Sequence, residues 1–352
     1  ILDDKIAVMD TVDGFFTEEW LNNVEQVLDG KMPDYLVIQH MEPDHSASIP
    51  AFLKKYPKAT VVSTAKGFQF MEQFFPAFFA EQGLPAEQRI VAANDGVLEL
   101  GQHSLHFVYA PMVHWPEVMM TYETTEKILF AADGFGKFGA LDVEEEWTDE
   151  ARRYYIGIVG KYGPQVQAVL KKAAGLDIQT ICSLHGPVLT ENLGFYLEKY
   201  DRWSSYQPEE SGVVIAYASV YGNTRNAAEH LADVLQEKGQ KTVLYDLARC
   251  DKAKAIADTF RYDRLVLAGI TYNGDLFPCM RSYIEGLTER NYQNRKVAII
   301  ENGTWAPMAG KLILGMFEKS KNLTFTETKV SIKSAMNAQN KEEIGKLAEE
   351  LC

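Results

Sequence analysis

The stretch His40-Met41-Glu42-Pro43-Asp44-His45 gathers two imidazoles and two carboxylates within six residues. It follows the apolar run Tyr35-Leu36-Val37-Ile38, which reads as a buried strand. A loop beyond a rigid strand is free to wrap its side chains around an ion. Isolated histidines or aspartates at strand ends are usually hydrogen-bonded structural residues. Four potential ligands alternating as H-x-E-x-D-H are different, because burying them unpaired would cost ~2 kcal/mol or more per group. The pattern predicts a metal site. Zinc favours nitrogen and sulfur ligands, whereas a mixed histidine and carboxylate set suits iron or manganese and lets a carboxylate bridge two ions.

Three further side chains repeat the arrangement of a ligand just past a strand. His114 lies in Pro111-Met112-Val113-His114-Trp115-Pro116, Asp133 closes Ala131-Ala132-Asp133, and His185 opens His185-Gly186-Pro187 after the short strand Thr180-Ile181-Cys182. Singly, each reads as structural. With the first loop they make seven candidate ligands, enough for two ions if Asp133 bridges. His103, His106 and His230 fit no such pattern and read as structural or exposed. Gly134-Phe135-Gly136-Lys137-Phe138-Gly139 spells the dinucleotide fingerprint, but the acidic residues Asp142 and Glu144-Glu145-Glu146 that follow oppose a pyrophosphate. Cys182 near His185 suggests a thiol nucleophile; a small buried filler is the better reading.

The elements that position these residues fall into two halves. The chain has 352 residues, 46% hydrophobic and 24% charged, which predicts two globular domains, 1–205 and 212–352, joined by a linker containing Pro208 and Gly212. In the first half, helical spacing at Trp20, Leu21, Val24, Val27 and Leu28 leads into the Tyr35–Ile38 strand. Strands follow at 60–62, 97–100, 105–110, 118–122 and 128–132, with helices around 66–75, 151–170 and 193–203. The second half alternates regularly, with strands at 213–217, 242–245, 264–268, 296–300 and 324–330 and helical patterns between, implying a doubly wound five-stranded parallel sheet. Ligands bind such sheets at the carboxyl ends of strands. There lie Ser219-Val220-Tyr221-Gly222-Asn223-Thr224, Thr271-Tyr272-Asn273-Gly274 and Asn302-Gly303-Thr304-Trp305-Ala306. The first offers hydroxyls and a helix N-terminus to a phosphate. It lacks the lysine of a nucleoside-triphosphate loop. The other two add aromatics and amides for a planar ring, and the combination predicts FMN.

A net charge of −14 makes nucleic acid a poor partner. No run of 18 or more apolar residues is present, so no membrane span is expected. Four scattered cysteines without a CxxC suggest a reduced, cytoplasmic protein. The first ten residues read as a turn at Asp3-Asp4 and a strand Ile6–Met9, which would need a partner strand from upstream.

Taken together, these motifs resemble one family, the flavodiiron proteins or A-type flavoproteins. The resemblance rests on H-x-E-x-D-H at 40–45, Pro-Met-x-His-Trp-Pro at 111–116, Leu-Phe-x-x-Asp at 129–133, His-Gly-Pro at 185–187 and the three loops of the second half. It implies an α/β protein with a metallo-β-lactamase-like αββα sandwich followed by a flavodoxin-like doubly wound sheet. Dizinc hydrolases of that superfamily carry H-x-H-x-D-H, so Glu42 in place of the middle histidine points to two Fe ions. The resemblance implies that His40, Glu42 and His114 hold one iron, that Asp44, His45 and His185 hold the other, and that Asp133 bridges. It further implies reduction of O2 to water, of NO to N2O, or both, with electrons reaching FMN from a rubredoxin-like donor, in a head-to-tail homodimer. Departures are a start that lacks the leading strands, a shortened stretch between Asp133 and His185 that alters the roof over the metals, and Gly134 where alanine is expected. No rubredoxin or flavin-reductase extension follows, which implies a separate donor. Two other readings stand beside it: a metal-dependent hydrolase with an attached flavodoxin domain, against which Glu42 speaks, and a metal-free FMN electron carrier.

Overall fold

In the computed structural model, which describes residues 1–352, the chain forms two compact units. Residues 1–146 and 164–200 make the first, and residues 147–163 and 201–352 the second. The first unit is built on two sheets. One is wholly parallel, in the order β1 (Ala7–Met9), β2 (Tyr35–Val37), β3 (Thr60–Ser63), β4 (Arg89–Val91). The other runs β5 (Val97–Glu99), β6 (Ser104–Tyr109), β7 (Met119–Glu123), β8 (Ile128–Phe130), β9 (Thr180–Cys182), antiparallel except for the last pair.

Strand periodicity sorts the side chains between layers. Leu36 and Val61 face an outer core with Ile49, Phe52, Phe68 and Met71 from the helices Ile49–Lys55 and Ala65–Phe74. Val37 and Val62 face the other way and meet Leu105, Phe107 and Met119 between the sheets. Beyond the second sheet, Met120 and Leu129 pack on the helices Gly163–Ala173 and Leu193–Ser204. The result is an αββα sandwich. At the start, the Ile1 amine donates to Ala7 O at 2.8 Å across the Asp3-Asp4 turn.

The second unit is a parallel sheet in the order β11-β10-β12-β14, where β10 is Glu210–Tyr217, β11 Thr242–Asp246, β12 Tyr262–Tyr272 and β14 Arg295–Asn302. A short β13 (Asp275–Leu276) folds back on β12. One face carries the helices Asn223–Glu237 and Ala338–Glu350, through Leu231, Leu235, Ile344 and Leu347 against Val213, Ile215, Val266 and Ala298. The helices Lys252–Arg261, Pro278–Thr288 and Ala309–Met316 cover the other.

Three expectations need correction. The fifth strand expected at 324–330 is two short ones, β15 (Leu323–Phe325) and β16 (Val330–Ile332), pairing with opposite ends of β14. The residues between leave the sheet because the Glu350 carboxylate accepts from Glu327 N at 2.7 Å and Thr328 N at 2.9 Å. The helix expected at 151–170 is interrupted by the 3-10 turn Gly160–Tyr162, between Trp147–Ile158 and Gly163–Ala173. Nor does the chain divide once near residues 205–212, because residues 147–163 pack with the second unit. Trp147 stacks on Trp203 at 5.8 Å, Arg152 pairs with the buried Glu209, and Arg290 donates to Ile156 O at 3.0 Å.

Candidate metal centre and flavin pocket

Beyond β2 the backbone is pinned before the first ligand appears. Ile38 N bonds Val62 O at 2.8 Å, and Ser63 Oγ donates to Ile38 O at 2.9 Å. Asp10, buried at the end of β1, accepts from Gln39 N at 2.7 Å and Gln39 Nε2 at 2.8 Å. Pro43 then starts a single helical turn, Pro43–Ser46, that presents Asp44 and His45. That turn is clamped by Thr11, which donates to His45 O from both N (2.9 Å) and Oγ1 (2.8 Å). His114 arrives from the β6–β7 connection, Asp133 from the end of β8 and His185 from the end of β9, where Leu184 N bonds Ala132 O at 2.8 Å.

All seven candidates converge, in two groups: His40, Glu42, His114 and Asp133 in one, and Asp44, His45 and His185 in the other, ligand atoms within 4.8 Å of one another in each. Asp133 faces both. Its Oδ2 lies 3.0 Å from His114 Nε2 and 3.4 Å from His40 Nε2, while Oδ1 lies 3.2 Å from His45 Nε2 and 3.7 Å from His185 Nε2. In the first group His114 Nε2 is 3.0 Å and His40 Nε2 3.3 Å from Glu42 Oε2. In the second, His45 and His185 Nε2 atoms stand 2.9 Å apart, each 3.3 Å from Asp44 Oδ2. Buried Asp44 Oδ1 and Asp133 Oδ1 have no hydrogen-bond donor. Convergent nitrogens and undonated carboxylate oxygens are the donor set of a pair of cations, and carboxylate-rich sets of this kind suit iron.

The electrostatics agree. Burial works against a charged His40, but its bonds to Glu117 and Glu42 and the charge of Asp133 outweigh it and push the imidazole up to about 10. His114, likewise opposed by burial, is pushed up to about 9 by its bonds to Asp133 and Glu42. Bonds from His114 and His40 hold Glu42 down at about 2. Asp133 is buried, which resists ionisation, yet the bond from His114 and the neighbouring His45 and His40 imidazoles keep it well below the usual carboxylate range. Protons on His40 and His114 stand in for the cationic charge that the carboxylates demand.

Several residues of this site carried no recognised signal in the sequence. Glu117 is fully buried and accepts from His40 Nδ1 at 2.7 Å and from Met41 N at 3.0 Å, so that His40 Nε2 faces the ligand group. Tyr200 accepts from Phe135 N at 2.6 Å and so ties down the segment after Asp133. Asp10 did offer a clue, an acid directly after an apolar run. The glycine fingerprint at 134–139 opens no helix: the next one starts at Trp147, and Gly136 packs on the His185 loop instead.

In the second unit the three loops surround a pocket of about 560 Å³. Ser219, Val220, Tyr221, Asn223, Thr224, Thr271, Tyr272, Asn273, Gly274, Asn302, Gly303, Thr304, Trp305 and Ala306 line it, joined by Ile270, Met308 and Ser334, which the sequence did not single out. Gly222 does not line it; at φ 88° it caps the helix Asn223–Glu237 and turns the chain into it. Ser219 Oγ is buried without a partner beside that helix N-terminus, a place for a phosphate. Asn302 bonds Ser334 both ways, Nδ2 to O at 2.8 Å and Oδ1 from N at 3.0 Å, fixing the third loop. Tyr221 and Trp305 are 92% and 90% exposed, rings with a free face for a flat heterocycle.

A histidine and carboxylate centre on an αββα sandwich, with a flavin-type pocket on a doubly wound sheet, defines a metalloflavoprotein. A family model described as ODP family beta lactamase matches residues 1–186, and one described as Flavodoxin matches residues 215–323. The nitric oxide reductase of Moorella thermoacetica is 29% identical over 322 residues, spanning 89% of this chain and 79% of that protein. Among solved structures, the flavodiiron protein of Giardia intestinalis superposes with a TM-score of 0.88 at 25% identity, over 99% of this chain and 88% of that one. Rubredoxin oxygen:oxidoreductase of Desulfovibrio gigas gives a TM-score of 0.90 at 23% identity over 100% and 88%, a likeness of fold. The chain belongs to the flavodiiron proteins, oxidoreductases that combine FMN with a non-haem diiron centre on the ODP-type β-lactamase fold. No helix is long and apolar enough to cross a membrane.

Proposed function

We propose that this chain reduces O2 to water, NO to N2O, or both, at a diiron centre held by its seven convergent ligands. His40, Glu42 and His114 take one iron, Asp44, His45 and His185 the other, and Asp133 bridges. The observation that carries this reading is the division of Asp133, one oxygen toward each group at 3.0–3.7 Å. When bound, the irons supply the redox chemistry on the gas, and FMN relays electrons from a rubredoxin-type donor.

The protein's own residues bind, orient and admit. Glu117 fixes the ring of His40, and Asp10 and Thr11 hold the first loop. Ser219, Thr224 and the helix N-terminus receive the FMN phosphate, while the loops at 271–274 and 302–306 and the rings of Tyr221 and Trp305 hold the flavin. Glu42, Asp44 and His185 are each about one-third exposed (35%, 37% and 32%), so the centre has one face open to solvent, from which protons reach it. That open face favours a head-to-tail homodimer in which the flavin of a partner covers it. Four free thiols are in keeping with the cytoplasm.

The test is turnover. Iron-loaded, FMN-loaded protein with a reduced rubredoxin consumes NO or O2, and His114→Ala removes consumption of both while keeping FMN. Turnover that survives His114→Ala contradicts the assignment. For the dimer, mixing a His114→Ala chain with an FMN-deficient Ser219→Ala/Thr224→Ala chain restores part of the activity; no restoration, or a monomer in sedimentation, contradicts it.

A further inference from the structure

The first unit holds a second space, lined by chain neighbours of two of the candidate metal ligands. It is a cavity of about 20 Å³ with a wholly apolar wall, bounded by Val113, Met120, Leu129, Phe135, Val169 and Tyr200. Met120 and Leu129 come from β7 and β8, on the face opposite the inter-sheet core, and the helices Gly163–Ala173 and Leu193–Ser204 close the other side. Two ligands back onto it through the chain: Val113 precedes His114, and Phe135 lies two residues beyond Asp133.

Its chemistry selects the guest. A water in a buried cavity needs two to four polar partners, whereas apolar cavities stay dry and take xenon or benzene. The one hydroxyl in this wall, on Tyr200, accepts the Phe135 backbone N–H at 2.6 Å and so serves the backbone. The volume is a little more than the ~10–15 Å³ that a single water needs, so the guest is one of the smallest apolar molecules. Gly134 also lines the space. A Cβ there would meet Met120 Cε at 3.1 Å and Ala131 O at 2.9 Å, so alanine at 134 would press the Met120 side chain. Glycine at this position, where the family resemblance leads one to expect alanine, leaves room for the guest.

We propose that this cavity is a docking site for an uncharged diatomic gas, from which the gas reaches the ligand groups at His114 and Asp133. The delivery role rests on the gas-reductase reading above; the binding of an apolar guest does not.

The test begins with xenon, which needs no iron. Crystals pressurised with xenon show a peak among Val113, Met120, Leu129 and Val169; an empty cavity overturns the proposal. Val169→Phe, or Ala173→Leu should the first variant fail to fold, fills the space. Either abolishes the xenon peak and raises KM for the gas by about threefold or more, with kcat at saturating gas and iron content unchanged, the pattern of lost ground-state binding. An unchanged KM in a variant that excludes xenon overturns the delivery role. Xenon binding in a protein that reduces neither gas overturns the function proposed above and, with it, delivery.

Discussion

Replacing Glu117 tests how much of the metal site lies outside its ligands. The carboxylate is 1% exposed and accepts from His40 Nδ1 at 2.7 Å and Met41 N at 3.0 Å, while its Oε2 has no partner. By taking the Nδ1 proton it leaves Nε2 as the donor toward the metal and makes the ring more basic. Glu117→Ala strands two buried donors, at about 1–3 kcal/mol in fold stability, and frees the His40 ring to rotate. Outer-sphere losses of this kind weaken metal binding by about 10- to 100-fold, or about 1.4–2.7 kcal/mol. Glu117→Gln keeps the shape, but its amide either opposes the imidazole or sits where Oε2 now has no partner, so about tenfold is expected. Chelator competition on metal-free protein measures the affinity, and melts without metal separate the folding cost. The loss should fall on one iron of the pair, the one beside His40, which Mössbauer spectra resolve. Two irons bound by Glu117→Ala as tightly as by the unaltered protein would refute the reasoning.

Other consequences follow from the same geometry. In the metal-free chain, His40 and His114 are pushed up to about 10 and 9, so both are protonated at neutral pH, yet a ligand imidazole must be neutral. Iron uptake therefore releases protons and weakens as pH falls below those values; a titration in weak buffer that releases none, or an affinity flat between about pH 6 and 8, would contradict this. Ser219→Ala removes a buried hydroxyl from the phosphate end of the flavin pocket and should weaken FMN by about 1.5–3 kcal/mol, roughly 10- to 100-fold, read by recovery of flavin fluorescence. Arg152→Leu leaves Glu209, 2% exposed, without its guanidinium and should destabilise the second unit by roughly 3 kcal/mol or more in denaturant unfolding followed at the flavin. A midpoint unchanged from that of the unaltered protein would remove that pair from the account.

The ligands were legible because their chemistry is written locally. His40, Glu42, Asp44 and His45 share one stretch, and His114, Asp133 and His185 each stand where an apolar run ends. Glu117 was not legible: it meets His40 across 77 residues, and a lone glutamate between Pro116 and Val118 has no spacing to betray it. The helix at 147–158 illustrates a second limit. Its apolar periodicity shows a helix with a buried face, but periodicity does not name the neighbour, and Trp147, Arg152 and Ile156 find theirs at Trp203, Glu209 and Arg290. The strand expected at 324–330 breaks because Glu350, on the last helix, captures two backbone N–H groups. Gly222 shares a motif with the pocket residues, and its φ of 88° makes it the turn that aims the helix, a geometry that the letters alone do not show. Local chemistry survives in sequence; contacts made by distant segments do not.

A diiron centre working with FMN is tested by the iron, zinc and flavin content of the protein reconstituted without oxygen. About two irons and one FMN per chain are expected, the loading that seven ligands and one flavin pocket allow, with the irons spin-coupled through a shared bridge. FMN without iron, or a site that takes zinc and excludes iron, would contradict it and return the chain to an electron carrier or a hydrolase.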